Sequence, residues 1–159
     1  MAYLIDGNNL LGFLFHGYLR DPENKLKLIR RLIAFQRSKR ARVILVFDGT
    51  ALPDEDNIVE PGSRFTILHP SAGESADTVL MEILSRQSDS RKFFVVSSDR
   101  EIKASAEHKG ARVLNCREFN AELKPTLQER KAKNEMAKND VRPTSLEVRL
   151  WTQVFKENK

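Results

Sequence analysis

Short β-type runs at residues 3–5, 43–47, 65–68, 93–97 and 112–114, with helical patterns between most of them, constrain this chain more than any other feature. Strand then helix, repeated, predicts parallel pairing, because the returning chain needs a crossover that a helix supplies. The runs Val-Ile-Leu-Val-Phe at 43–47 and Phe-Phe-Val-Val-Ser at 93–97 are apolar without alternation. Such strands have both faces covered, so these two are expected in the middle of the sheet. The predicted fold class is α/β: a central, mostly parallel sheet of about five strands flanked by helices.

The helices follow from period and caps. Between Asn24 and Lys39, Leu28, Ile29, Leu32, Ile33 and Phe35 share one arc, while Lys27, Arg30, Arg31 and Arg37 share the other, which is expected to face solvent. A second helix is predicted near Glu74, burying Ala76, Val79, Leu80, Ile83 and Leu84. A third begins at Asp99, where Ser98 and Glu101 have capping-box spacing, and stops before Gly110. Composition changes near Lys124, so residues 1–123 are read as the domain and 124–159 as a charged linker and C-terminal helical extension. Within the extension Ser145 is placed to cap a stripe of Leu146, Leu150, Trp151, Val154 and Phe155, which must dock on its own domain or on a second copy as a homodimer.

With 159 residues, 40% of them apolar, the chain is long enough for one domain with a core. The single Cys116 forms no internal disulfide, and Met1 leads into an apolar stretch without the basic start of a secretory signal, so a reducing, cytoplasmic setting is expected. No apolar run approaches the roughly 20 residues that cross a bilayer, which removes membrane function. A net charge of +5 is modest, but between Lys25 and Arg42 stand eight basic residues and no acidic one. A local field of that kind is felt by phosphate, and Arg30, Arg31, Arg37, Lys39 and Arg40 are candidates to hold a phosphate backbone without reading bases. A merely solvated helix face explains the same charges.

Acidic residues mark the strand ends. Asp6 follows the first run, Asp48 the second and Asp99 the fourth, while Asp77 opens the helix after the third. In a parallel sheet these positions share one edge, and open α/β sheets bind ligands outside the carboxyl ends of their strands. Four carboxylates gathered there would repel unless a cation compensates them. All-oxygen donors, with no His or Cys cluster nearby, favour Mg²⁺ or Mn²⁺ over zinc. Such a site activates water against a phosphodiester. Each acid alone has an ordinary reading, since Asp6-Gly7 and Asp48-Gly49 form turns and Asp77 and Asp99 suit helix starts. His16, His69 and His108 are scattered without zinc-ligand spacing.

The ordered pieces Tyr-Leu-Ile-Asp-Gly-Asn-Asn-Leu at 3–10, Val-Phe-Asp-Gly at 46–49, Glu-Ser-Ala-Asp at 74–77 and Val-Ser-Ser-Asp at 96–99 resemble the NYN group of PIN-like nucleases, and within it the bacterial YacP-like proteins. The resemblance covers roughly residues 1–123. It implies a PIN-like Rossmannoid fold, a Mg²⁺ or Mn²⁺ site made by Asp6, Asp48, Asp77 and Asp99, and endonucleolytic cleavage of RNA that leaves a 5′ phosphate. It also implies that Asn8 lies in the site with Asn9 beside it, that Ser97 supports the last Asp, and that Glu74 is a further supporting candidate. YacP-like proteins include ribosome-associated nucleases that cut messenger RNA, so the resemblance suggests a ribosome partner. A flap-type or polymerase-associated exonuclease would need a long helical extension, and a haloacid-dehalogenase phosphatase a second acid where Asn8 stands. A catalytically inactive RNA-binding or ribosome-docking module is the alternative from another class, but a binder of polyanions gains nothing from a concentrated negative pocket.

Overall fold

The computed structural model describes residues 1–16, 21–124 and 134–135. The chain divides into two units, Met1–Leu127 and Gln128–Lys159, and the sheet with its flanking helices belongs to the first. The stripe expected at 145–155, and with it the homodimer contact, lies outside the described residues.

Five strands, β1 (Ala2–Asp6), β2 (Arg42–Val46), β3 (Phe65–Leu68), β4 (Phe93–Val96) and β5 (Arg112–Leu114), form one sheet in the order β3-β2-β1-β4-β5. Every pairing is parallel. The α/β class is therefore as expected, with one correction at its centre: β1 is the middle strand, and the two unbroken apolar runs flank it. Strand order reverses at β1, so the crevice outside the ends of β1 and β4 is the topological switch point of the sheet.

Two cores explain why the strands carry no polar face. Tyr3, Ile5, Val43 and Leu45 pack on one side with Leu10, Leu11, Leu28, Leu32, Phe35 and Phe119. Leu4, Ile44, Val46 and Val95 pack on the other with Ala76, Leu80, Leu84, Ile102 and Ala106. Alternate residues of one strand thus serve opposite cores. The first core belongs to α1 (Gly7–Phe15), α2 (Pro22–Lys39) and a helix at 116–124; the second belongs to α4 (Ala76–Ser85) and α5 (Arg100–His108). A short α3 (Glu55–Ile58) follows the second strand.

The buried stripes of α2 and α4 are legible from period, although Ile33, Val79 and Ile83 are only partly buried. Asp99, not Ser98, caps α5, because its Oδ1 accepts the N–H groups of Glu101 at 2.8 Å and Ile102 at 3.1 Å. Gly110, at φ +83°, takes the left-handed turn just past the end of α5, where the sequence pattern puts the stop. The run of eight bases also needs one amendment. Lys25 is buried and its Nζ meets Glu55 at 2.5 Å, so the first of the eight bases has a structural partner.

Candidate active site

The chain leaves β1 at Asp6 and turns directly into α1, and this junction builds the site. Asp6 caps the helix, its Oδ1 accepting the N–H of Asn9 at 3.2 Å. Its Oδ2 accepts the hydroxyl of Ser97 at 3.3 Å, and the same hydroxyl oxygen accepts the N–H of Asp99 at 3.1 Å. Ser97, wholly buried at the end of β4, therefore joins two acids that lie 93 positions apart. Asp48 reaches across in the other direction, its Oδ1 accepting the N–H of Ala76 at 2.8 Å, the residue before Asp77.

Asn8 and Asn9 hold the strand ends in register with this junction. Asn8 Oδ1 accepts the N–H of Asp48 at 2.8 Å, tying α1 to the end of β2. Asn9 Oδ1 accepts the N–H of Ser98 at 2.9 Å and the Cys116 thiol at 2.9 Å, tying α1 to the other flank. Neighbouring side chains thus brace opposite sides of Asp6. Gly7 lets the helix come this close: a Cβ there would lie 2.6 Å from the Phe47 ring and 2.8 Å from the Val46 carbonyl oxygen. Close approach, not backbone freedom, is why this position is glycine.

Electrostatics confirm that the acids share a field. Burial, opposed by the Asn9 and Ser97 hydrogen bonds and reinforced by the charges of Asp77 and Asp48, pushes Asp6 up to about 6. Asp77 is raised by burial and by Asp99, Asp48 and Glu101. Among the described residues no lysine or arginine forms an ion pair with Asp6, Asp48, Asp77 or Asp99. The negative charge is uncompensated. As the side chains stand, no three acidic, His or Cys groups among the described residues close on a single point as an ion's ligands. The donors are nevertheless of the right kind, since anionic oxygens on three adjacent strand ends and one helix start suit a hard divalent cation and no soft one.

The other sequence candidates fall elsewhere. Glu74 turns back into its own loop, its Oε2 accepting the N–H of Ser71 at 3.3 Å. Arg37 pairs with Glu60 at 2.5 Å, and the backbone oxygen of Arg40 accepts from Arg64. α2 runs from Pro22, which lines a cavity of about 160 Å³ with Asn8, Lys25, Asp48 and Thr50, to Lys39 at the opposite edge of the sheet. Its basic end, Arg37 to Arg40, is therefore about 25 Å along the helix from the acids, and Arg30 and Arg31 lie midway.

Sequence reasoning missed three features. One is α1 itself, hidden by the poor helix formers Gly7, Asn8 and Asn9 although Leu10, Leu11 and Leu14 carry a helical period. Another is the brace behind the Asp48 loop. Glu55, 2% exposed, accepts from Lys25, from the Leu52 N–H at 3.0 Å and from His69 Nε2 at 2.6 Å. His69 Nδ1 in turn lies 3.1 Å from the Gly49 carbonyl, next to Asp48. Burial alone would raise Glu55, but Lys25, the Leu52 amide and His69 hold it below the usual range. Nothing in the spacing of Lys25, Glu55 and His69 announces that network. The third is the contact of Cys116 with Asn9; the thiol itself is buried and inert, as the sequence leads one to expect, and it is raised by burial and by the nearby Asp6 charge.

A family model described as a YacP-like NYN domain matches residues 3–159 of the sequence, well past the point where the four motifs stop. The fold is similar to the crystal structure of Rae1 (YacP) from Bacillus subtilis, at 21% identity and a TM-score of 0.69 over 99% of this chain and 91% of that one. It is also similar to the W164L mutant of the same protein, at 19% identity and a TM-score of 0.70 over 88% of this chain and 85% of that one. No curated protein matches the sequence.

Proposed function

The chain belongs to the YacP-like NYN domain family, and from that premise we propose that it is a divalent-metal-dependent endoribonuclease whose site is formed by Asp6, Asp48, Asp77 and Asp99. Family membership supports a ribonuclease-type role. The observation that carries the finer reading is the gathering of four acids, none of them in an ion pair among the described residues, at the strand-end edge of the sheet, with Asp6 pushed up by burial and by its acidic neighbours. A pure RNA binder would gain nothing from that arrangement, because it repels phosphate.

Asp6, Asp48, Asp77 and Asp99 would hold Mg²⁺ or Mn²⁺. When bound, the cation supplies a nucleophile from water at neutral pH and neutralises charge developing on the phosphate. The remaining steps belong to the chain. Hydrogen bonds from Asn9 and Ser97 orient the Asp6 carboxylate, and those from Glu101 and Ile102 orient Asp99, which limits the rearrangement needed to hold a ligand. Asp48 is held at both ends, its N–H donating to Asn8 and its carboxylate accepting from Ala76. The first turns of α1, α4 and α5 in turn hold the acids, Asn9 donating its N–H to Asp6, Ala76 to Asp48, and Glu101 and Ile102 to Asp99. Asn8, Asn9 and Ser97 are positioning residues; Glu74 closes its own turn.

The expected substrate in the cell is messenger RNA in the cytoplasm, with the ribosome as partner. Cleavage of 5′-labelled messenger RNA, free and in a translating extract, with Mn²⁺ or Mg²⁺, tests the proposal. The protein cuts in at least one setting, and Asp6→Asn and Asp99→Asn variants of unchanged fold lose cleavage by at least a hundredfold. Equal behaviour of all three proteins, or no cleavage in either setting, would favour the RNA-binding module instead.

A further inference from the structure

Because all five strands are parallel, their starting ends also share one edge, and the sequence loads that edge with the opposite charge. Lys39, Arg40 and Arg42 sit where α2 hands over to β2, Arg64 immediately precedes β3, and Lys109 and Arg112 bracket the start of β5. All six are exposed, and among the described residues none forms an ion pair with a carboxylate. The acids on the same edge are partly occupied already: Arg37 holds Glu60, and Asp89 lies within 3.0 Å of Arg91 and 3.8 Å of Lys92.

The C-terminal ends of α2 and α5 point here too, and a helix dipole accounts for Lys39 and Lys109. It does not account for Arg42, Arg64 and Arg112, which begin strands or precede them. Arg64 and Arg40 line an open groove of about 410 Å³ with Arg37. Among the described residues the sheet unit is therefore bipolar, acids at one edge and bases at the other, about 25 Å apart along α2.

We propose that the strand-start edge is a second RNA-backbone-binding surface, which holds RNA outside the segment being cut. The proposal rests on the nuclease reading only for the word "cut"; the binding surface stands on the charge placement. An acidic crevice attracts no RNA by itself, whereas six exposed cations spread along one edge capture phosphates by releasing their counterions. Capture and cleavage are thereby assigned to opposite edges. A short oligonucleotide engages only the acidic crevice, while a longer RNA reaches both.

The test uses the full chain with Arg42, Arg64 and Lys109 each changed to Glu, none of which touches the candidate active site. Binding of a long single-stranded RNA is measured without divalent metal over a range of salt, and cleavage of a short oligonucleotide is measured with Mn²⁺. The surface predicts at least tenfold weaker binding of the long RNA and a log–log salt slope shallower by about 2, from three lost contacts at roughly 0.7 each. Cleavage of the short oligonucleotide stays unchanged. Undiminished affinity and slope in a variant that melts like the parent would overturn the proposal. If the reversals unfold the protein, the Arg42→Gln, Arg64→Gln, Lys109→Gln triple is judged by the same slope. Failure of the unaltered protein to cut any RNA would sink the nuclease reading alone, and the binding measurement would still decide the surface.

Discussion

Asp6 shows how one residue can be costly to the fold and necessary to the site. It is 5% exposed, surrounded by other acids, and raised from 3.8 to about 6. A carboxyl raised in the folded state favours the protonated form, so the metal-free protein is most stable with respect to this group below the unfolded value near 3.8. That advantage is lost as pH rises through about 6. The loss amounts to roughly 2–3 kcal/mol at pH 7, because each tenfold change in proton affinity is worth about 1.4 kcal/mol. Asp6→Asn, which cannot ionise, should therefore stabilise the metal-free protein at pH 7 by up to about that amount while removing cleavage. Denaturant melts of both proteins at pH 5 and pH 7 check this, since the difference should shrink at the lower pH. A destabilised Asn variant would mean that the carboxylate's hydrogen bonds outweigh its burial.

At the scale of elements, the close seating of α1 on β2 is what brings Asn8 to Asp48 and Asn9 to Ser98. Gly7→Ala would place a Cβ against backbone as well as the Phe47 ring, and the Val46 carbonyl has nowhere to move within a buried strand. The substitution should cost about 1–3 kcal/mol and reduce cleavage at least tenfold by shifting Asp6 relative to Asp48. Thermal unfolding and single-turnover cleavage measured on one preparation separate the two effects. The sequence discloses the strands because Val43 to Phe47 and Phe93 to Val96 are covered on both faces, and it discloses α2 and α4 through their apolar arcs. It conceals α1, whose first turn is made of residues chosen for the site rather than for helix formation. It puts the centre of the sheet one strand away, because coverage on both faces does not distinguish the central strand from its neighbours. Asp6, Asp48, Asp77 and Asp99 are readable from topology alone, since parallel strands put their ends at one edge. The braces are not: Asn9 and Ser97 enter only through the family resemblance, and their meeting with Asp6 and Cys116 rests on contacts between residues up to 107 apart.

At the scale of the whole sheet unit, a parallel sheet separates charge. Acids follow β1, β2 and β4 and bases precede β2, β3 and β5, and the parallel topology turns that sequence order into two edges. The Lys25–Glu55–His69 network stands behind the Asp48 loop, and the Asn8–Asn9 pair stands in front, so the acidic edge is held on both sides before any ligand binds. The same charge that destabilises the metal-free edge would become binding energy for a divalent cation. Calorimetric titration of Mn²⁺ into the protein and into Asp6→Asn, Asp48→Asn, Asp77→Asn and Asp99→Asn at pH 7 measures this directly. The account predicts that the parent binds and that each single variant binds at least tenfold more weakly, a difference of about 1.4 kcal/mol. No Mn²⁺ binding by the parent, or an affinity indifferent to all four substitutions, would contradict a shared metal site.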